Sequence, residues 1–243
     1  MDKQAIICKD LGFIDYKVAW DYQESLLAEN VLIKSAARDE GIDPLSALTK
    51  NYLLFCEHPP VYTLGKTGSM KNVLLSERAM KEKEIQFYKV NRGGDITFHG
   101  PGQIVGYLIF DLEKFVTDIG KFLRALEQVI IDTIAVFGIR GERSPGQTGV
   151  WVNNGSPAKE SKICAMGIRC SRWITMHGFA LNVNTDLAYF QHIIPCGINN
   201  KQVTSMEKEL IDKVPIEGVK ELLLENINTI FGSRVISDFS PVQ

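Results

Sequence analysis

Residues 92–103, RGGDITFHGPGQ, place four glycines, a proline, an arginine and a histidine within twelve positions. Strand-like runs flank the segment, EIQFYKV before it and IVGYLIFDL after it. Glycine and proline interrupt regular structure, so a chain carrying this segment must fold extended elements around a loop. Because glycine has no Cβ, the N–H groups of that loop are free to approach a ligand. Arg92 and His99 add charge and hydrogen-bonding capacity. Gly-Gly and Pro-Gly alone would mean only a structural turn.

The rest of the chain alternates strand and helix signals. Residues 5–8 read as a short first strand. Asp15 is placed to N-cap a long helix, along which Val18, Tyr22, Leu26 and Ile33 recur at helical spacing until Gly41 and Asp43-Pro44 end it. NYLLFCE over 51–57 reads as a buried strand, broken by His58-Pro59-Pro60 and resumed by VYTLGK. A helix opens at Ser76, a strand runs from Ile85 into the glycine segment, and another runs over 103–112. A helix begins at Thr117-Asp118 with an apolar stripe of Phe122, Leu126, Val129 and Val136. GIRGERSPGQTGVWV reads as strand, turn and strand, and residues 162–170 and 172–182 as neighbouring strands. A short helix over 186–192 and a last helix from about Pro215 to Phe231, stopped by Gly232, complete the pattern. The expected architecture is α+β: one catalytic domain, 1–243, built on a mixed sheet flanked by helices, with room for a small C-terminal helical extension over 205–243.

Composition narrows the function classes. The chain has 243 residues, 45% apolar and 23% charged, enough for a sizeable core. A net charge of −2 argues against nucleic-acid binding. No run approaches the ~18 apolar residues of a membrane span, and MDKQAIICKDLGF lacks the apolar stretch of a signal peptide. Five cysteines, at 8, 56, 164, 170 and 196, form an odd set, read as reduced thiols in the cytoplasm. Only a weak H-x-x-x-C spacing, His192 and Cys196, suggests metal, and the glycine segment matches no phosphate-loop pattern, so no metal or cofactor is expected.

Cys196, in IIPCGI, is the strongest candidate nucleophile. The neighbouring proline and glycine would hold it on a turn beside backbone N–H groups suited to an oxyanion. A free thiol is only a few per cent thiolate at neutral pH, so a nearby cation or base must activate it. Lys162, at the head of the apolar strand KICAMGIR, is the candidate partner, either as a desolvated base or as a charged holder of the thiolate; a strand-end lysine reaching solvent is the alternative. Alternation is expected to put Lys162, Cys164 and Met166 on one face. His177, in MHGFALN, is as compatible with a core histidine as with a ligand contact, while Gly178 and Ala180 leave room for a ligand against the strand.

EHPPVYTLGK at 57–66, RGGDITFHGPGQIVGY at 92–107, GVWV at 149–152, KICAMGIR at 162–169, RWITMHGFALNVN at 172–184 and PCGI at 195–198 occur in one order along the chain. Together they resemble the octanoyltransferases of lipoate biosynthesis. That resemblance implies the fold of biotin and lipoate protein ligases. It implies a Cys196 thioester tuned or deprotonated by Lys162. It also implies an acyl pocket from Arg92, Gly93, Gly94, Asp95, Ile96, Thr97, Phe98 and His99, with Ala165, Met166 and Gly167 and with Gly178, Phe179 and Ala180. The donor it implies is octanoyl-acyl carrier protein. The acceptors it implies are lipoyl domains, those of 2-oxoacid dehydrogenase acyltransferase subunits and the glycine cleavage H protein. Phe98 stands where the family commonly has tyrosine, and Cys164 where it has a small apolar residue. An ATP-dependent lipoate or biotin ligase, a cysteine hydrolase, and a non-catalytic module that binds lipoyl domains or carrier protein are the competing readings.

Overall fold

The structure is a computed structural model that describes residues 3–153, 160–194 and 202–238. In chain order the strands are β1 (Gln4–Phe13), β2 (Asn51–Glu57), β3 (Val61–Leu64), β4 (Gln86–Lys89), β5 (Ile96–His99), β6 (Gln103–Ile109), β7 (Gly141–Glu142), β8 (Val150–Asn153), β9 (Glu160–Ser171), β10 (Ile174–Asn182), β11 (Gln202–Val203) and β12 (Ser233–Ser237). The helices are α1 (Tyr16–Asp39), α2 (Glu77–Glu82), α3 (Ile119–Ala135), α4 (Met206–Leu210) and α5 (Ile216–Phe231). Among the described residues the main sheet has the order β12-β1-β2-β6-β10-β9-β8-β7, with β11 added in parallel to β9. Parallel pairing at β12-β1-β2 and antiparallel pairing from β2 to β7 make it a mixed sheet. A second sheet, β4-β3-β5, stands beside it.

Side-chain alternation gives the main sheet two buried faces. On β6, Ile104 and Leu108 join the core beneath α3 and α5, with Phe122, Leu126, Val129, Val219, Leu223 and Ile227. Val105, Tyr107 and Ile109 face the other way, against Ala19, Leu26 and Leu27 of α1. The site lies on this second face.

Four sequence expectations change. Val136, expected on the apolar stripe of α3, is the C-cap residue just past the last turn and is 65% exposed. Val18 is 53% exposed, and α1 buries Tyr16, Ala19, Gln23, Leu26, Leu27, Asn30 and Ala37 instead. The reason is polar: Asn30 exchanges hydrogen bonds with the Lys50 backbone, and Gln23 accepts from the His177 N–H. The buried face of α1 therefore serves strand ends as well as apolar packing. Residues 92–103 are not one loop, because β5 runs through them, antiparallel to β3. The β9–β10 turn is made by Arg172 and Trp173, both at positive φ (50° and 64°), the geometry of a tight two-residue hairpin. Asp15, Ser76 and Asp118 cap their helices as expected, and Gly232 ends α5 in the left-handed region.

Candidate active site

A cavity of about 240 Å³ lies between the small sheet, α1, β6 and the β9–β10 pair. Tyr16 contributes from α1 and Gln103, Val105 and Tyr107 from β6. Arg92, Gly94, Asp95, Ile96, Thr97 and His99 form one wall; Gly146, Gln147, Thr148 and Lys162 form another. Ala165, Met166 and Gly167 meet His177, Gly178, Phe179, Ala180 and Asn182 along the floor.

Glycine acts here mainly by letting backbones touch. The Gly93 N–H donates to the Ile168 carbonyl at 3.0 Å. A Cβ on Gly167 would lie 2.7 Å from the Gly93 oxygen, and one on Gly65 would lie 2.3 Å from the Gly94 oxygen. The turn over 92–95 is thus clamped between β9 and the end of β3. On β10, a Cβ at Gly178 would lie 2.2 Å from the Gly106 oxygen.

The wall at 92–99 is a directed chain of hydrogen bonds. Arg92 Nη1 donates to the Gly93 carbonyl at 2.9 Å, and Nη2 donates to Thr63 O at 2.8 Å and Thr63 Oγ1 at 2.9 Å. His99 Nδ1 faces Gln103 Oε1 at 2.8 Å, and Gln103 Nε2 is committed to two acceptors, Phe98 O and Asn182 Oδ1. His99 Nδ1 therefore carries the proton, and Nε2 accepts from the Thr63 hydroxyl at 3.3 Å. Asn182 donates onward to Thr204 O, and Thr204 N–H donates to the Lys162 carbonyl at 3.0 Å. Behind this wall, His58 Nδ1 faces the Ile14 carbonyl, so Nε2 accepts from the Tyr107 hydroxyl at 2.7 Å. His177, at φ 62°, directs Nε2 to Asn91 Oδ1 at 3.0 Å.

Burial keeps these imidazoles neutral. It lowers the pKa of His58 to about 4. His99 falls to about 3 by burial, with His58 and the Arg92 cation adding to the effect. His177 also falls to about 3, by burial and then by Arg92 and Arg169.

Lys162 enters from the opposite wall. The β8–β9 register shifts, pairing Trp151 with Lys162 but Val150 with Cys164. Such a bulge inserts one residue and reverses the alternation. Ile163 and Cys164 therefore both pack in the core beneath α3, while Lys162 lines the cavity. This corrects the expected common face of Lys162, Cys164 and Met166. Cys164 is fully buried, and burial raises its thiol pKa, so it is a packing residue. Lys162 Nζ lies over the Trp151 ring, 4.6 Å from its centroid.

Glu127, a fully buried carboxylate on α3, secures this wall. It accepts from Gly149 N–H at 3.0 Å and pairs with Arg124 at 2.7 Å and Arg143 at 3.1 Å. Arg143 also donates to Arg124 O, and Arg124 to the Gln147 carbonyl.

Lys162, Arg92, Gly94, Asp95, Ile96, Thr97, His99, Ala165, Met166, Gly167, Gly178, Phe179 and Ala180 come together at the cavity. Gly93 and Phe98 are not among the lining residues. Gly93 is held against Ile168, and Phe98 turns into the small core, stacked on Tyr189 at 4.5 Å. Cys196 lies outside the described residues. The sequence reading missed Tyr16, Gln103, Val105, Tyr107, Asn182, Phe190, Val203 and the turn at 146–148. Alternation along β6 was the available signal for Gln103, Val105 and Tyr107. Among the described residues no group of three or more His, Cys, Asp or Glu side chains is arranged to hold a metal ion. No helix among them is long and apolar enough to cross a membrane.

The family model described as lipoyl protein ligase A/B catalytic domain matches residues 15–228. A protein of Christiangramia forsetii named Octanoyltransferase is 55% identical over 236 residues, covering 97% of this chain and 99% of its own length. One of the same name from Flavobacterium psychrophilum is 55% identical over 235 residues, covering 96% and 99%. Among solved structures, the bi-partite lipoate protein ligase of Thermoplasma acidophilum is similar with a TM-score of 0.67 at 15% identity, covering 100% of this chain and 88% of that one. Lipoate-protein ligase A bound with ATP is similar with a TM-score of 0.66 at 13% identity, covering 100% and 90%. At these identities the structural likeness speaks for the fold alone, a mixed sheet with flanking helices.

Proposed function

This chain belongs to the lipoyl protein ligase A/B catalytic domain family, and on that premise we propose that it is an octanoyltransferase working through a Cys196 thioester. The donor is the thioester of octanoyl-acyl carrier protein, and the acceptor is a lysine amine of a lipoyl domain. The whole chain, 1–243, acts as one catalytic unit. Near-full-length identity of 55% to proteins named Octanoyltransferase supports the acyl group and the reaction class.

The observation that carries the residue assignment is Lys162, a lysine turned by a bulge out of the core and into the cavity. β11 begins six residues after Cys196 and pairs alongside Ser161 and Lys162. The Cys196 thiolate attacks the donor carbonyl and forms a tetrahedral oxyanion. Its collapse expels the carrier's thiolate, which takes up a proton, and leaves octanoyl-Cys196. The neutral amine of the acceptor lysine then attacks, the amide forms with loss of a proton, and the Cys196 thiolate departs. The donor thioester is already activated, so no step calls for ATP. The small residues Ala165, Gly167, Gly178 and Ala180 leave room for the acyl chain against the strands.

The test is incubation with octanoyl carrier and a lipoyl domain in the absence of ATP, followed by mass analysis of the domain. An octanoyl amide on its lysine is the expected product. Modification only with ATP and free octanoate, through an acyl-adenylate, would reassign the chain as a ligase.

A further inference from the structure

The route of Lys162 into the cavity is a built one. Gly149, at φ 115°, has no Cβ; one placed there would lie 2.5 Å from the Cys164 carbonyl and 3.5 Å from Lys162 Cε. Glu127 fixes that glycine through its N–H. The lysine stem passes the open position, and Nζ comes to rest over the face of Trp151, a ring only 1% exposed. An aromatic face carries negative potential, so at 4.6 Å it attracts an ammonium and does little for a neutral amine. The arrangement therefore selects a protonation state as well as a position.

We propose that Trp151 is a positioning residue for this reaction: its ring holds Lys162 as an ammonium at the cavity wall, so that Lys162 serves as a fixed cation and not as a proton acceptor. The inference rests on the acyl-enzyme reading above. The cation favours the Cys196 thiolate, whose proton has gone to solvent before attack, and its charge favours the oxyanion formed on the acyl carbon. The carrier's thiolate then draws its proton from solvent. A lysine acting as base would instead shuttle that same proton from Cys196 to the leaving thiol.

Lys162→Arg separates the two roles, because arginine stays charged and stacks on an aromatic ring but cannot accept a proton. The measurements are the pH dependence of Cys196 alkylation by iodoacetamide, read on its own peptide, and single-turnover formation of the octanoyl adduct. Lys162→Arg should keep the wild-type alkylation profile and acylate within about tenfold of wild type. Lys162→Ala should move the profile to higher pH. Trp151→Leu should lose about fivefold of the thiolate present at neutral pH, with Trp151→Phe shifted less in the same direction. Lys162→Arg matching Lys162→Ala in both measurements would overturn the proposal. So would a wild-type alkylation profile in Trp151→Leu or, if that variant does not fold, in Trp151→Phe. A wild-type enzyme that alkylates but never forms the adduct would sink the acyl-enzyme reading, while the alkylation profiles would still decide the role of Trp151.

Discussion

The wall at 92–99 and the wall of Gly146, Gln147, Thr148 and Lys162 face each other across one cavity, and both are polar. In the first, Arg92, Thr63, His99, Gln103 and Asn182 are joined donor to acceptor, and the imidazole is neutral because burial has removed its proton. In the second, a buried carboxylate braces a glycine, and a lysine lies across an aromatic face. The first wall gives the cavity its shape; the second supplies the charge to which chemistry is assigned. On the proposed mechanism, density of polar residues is a poor guide to where the reaction is driven.

The contrast is open to attack at several points. The largest expected effect is from Lys162→Ala, which should slow single-turnover acylation at neutral pH by about a hundredfold or more, leaving the melting temperature nearly unchanged. A variant that melts much earlier yet acylates normally would exchange the roles of the two walls. Gly178→Ala should destabilise by about 3 kcal/mol in urea titrations, because its Cβ meets a backbone oxygen that cannot swing aside. Arg92→Lys should cost about 2 kcal/mol, since an ammonium cannot reproduce the forked contacts to Thr63 and Gly93. Acylated Cys196 should still form in that variant.

The last point is pH dependence. His58, His99 and His177 have folded-state pKa values depressed to between about 3 and about 4. Below the unfolded value near ~6.5 the unfolded chain binds protons that the native chain refuses. Their contribution is thus complete above about pH 6.5 and is lost as pH falls toward the folded values, by up to about 1.4 kcal/mol per pH unit for each neutral histidine. Melts at pH 7 and pH 5 should show the drop, and His177→Gln should reduce its slope by nearly one proton. An unchanged slope would mean that His177 is already charged in the native protein.

Much of this was readable from residue order. Asp15, Ser76 and Asp118 mark their helix starts because a short acceptor side chain before a helical run has a local job, independent of tertiary context. Of the strands of the site, β6, β9 and β10 were legible from their apolar runs, while β5 was hidden among the glycines of 92–103. The buried face of α1 was not legible, since Gln23 and Asn30 are buried by partners 154 and 20 residues away. The direction of Lys162 was hidden too, because a bulge depends on how β8 meets β9 and alternation cannot register an inserted residue. The glycines at 93 and 94 were visible, but only the fold reveals Gly65 and Gly167 as the surfaces that clamp them.

Intact-mass analysis of the protein after exposure to octanoyl-acyl carrier protein bears most directly on the central claim. The wild-type chain should gain the mass of one octanoyl group, released by hydroxylamine and lost in Cys196→Ser. A wild-type chain that transfers octanoate to a lipoyl domain with no such adduct, or a Cys196→Ser chain that still acquires one, would contradict it.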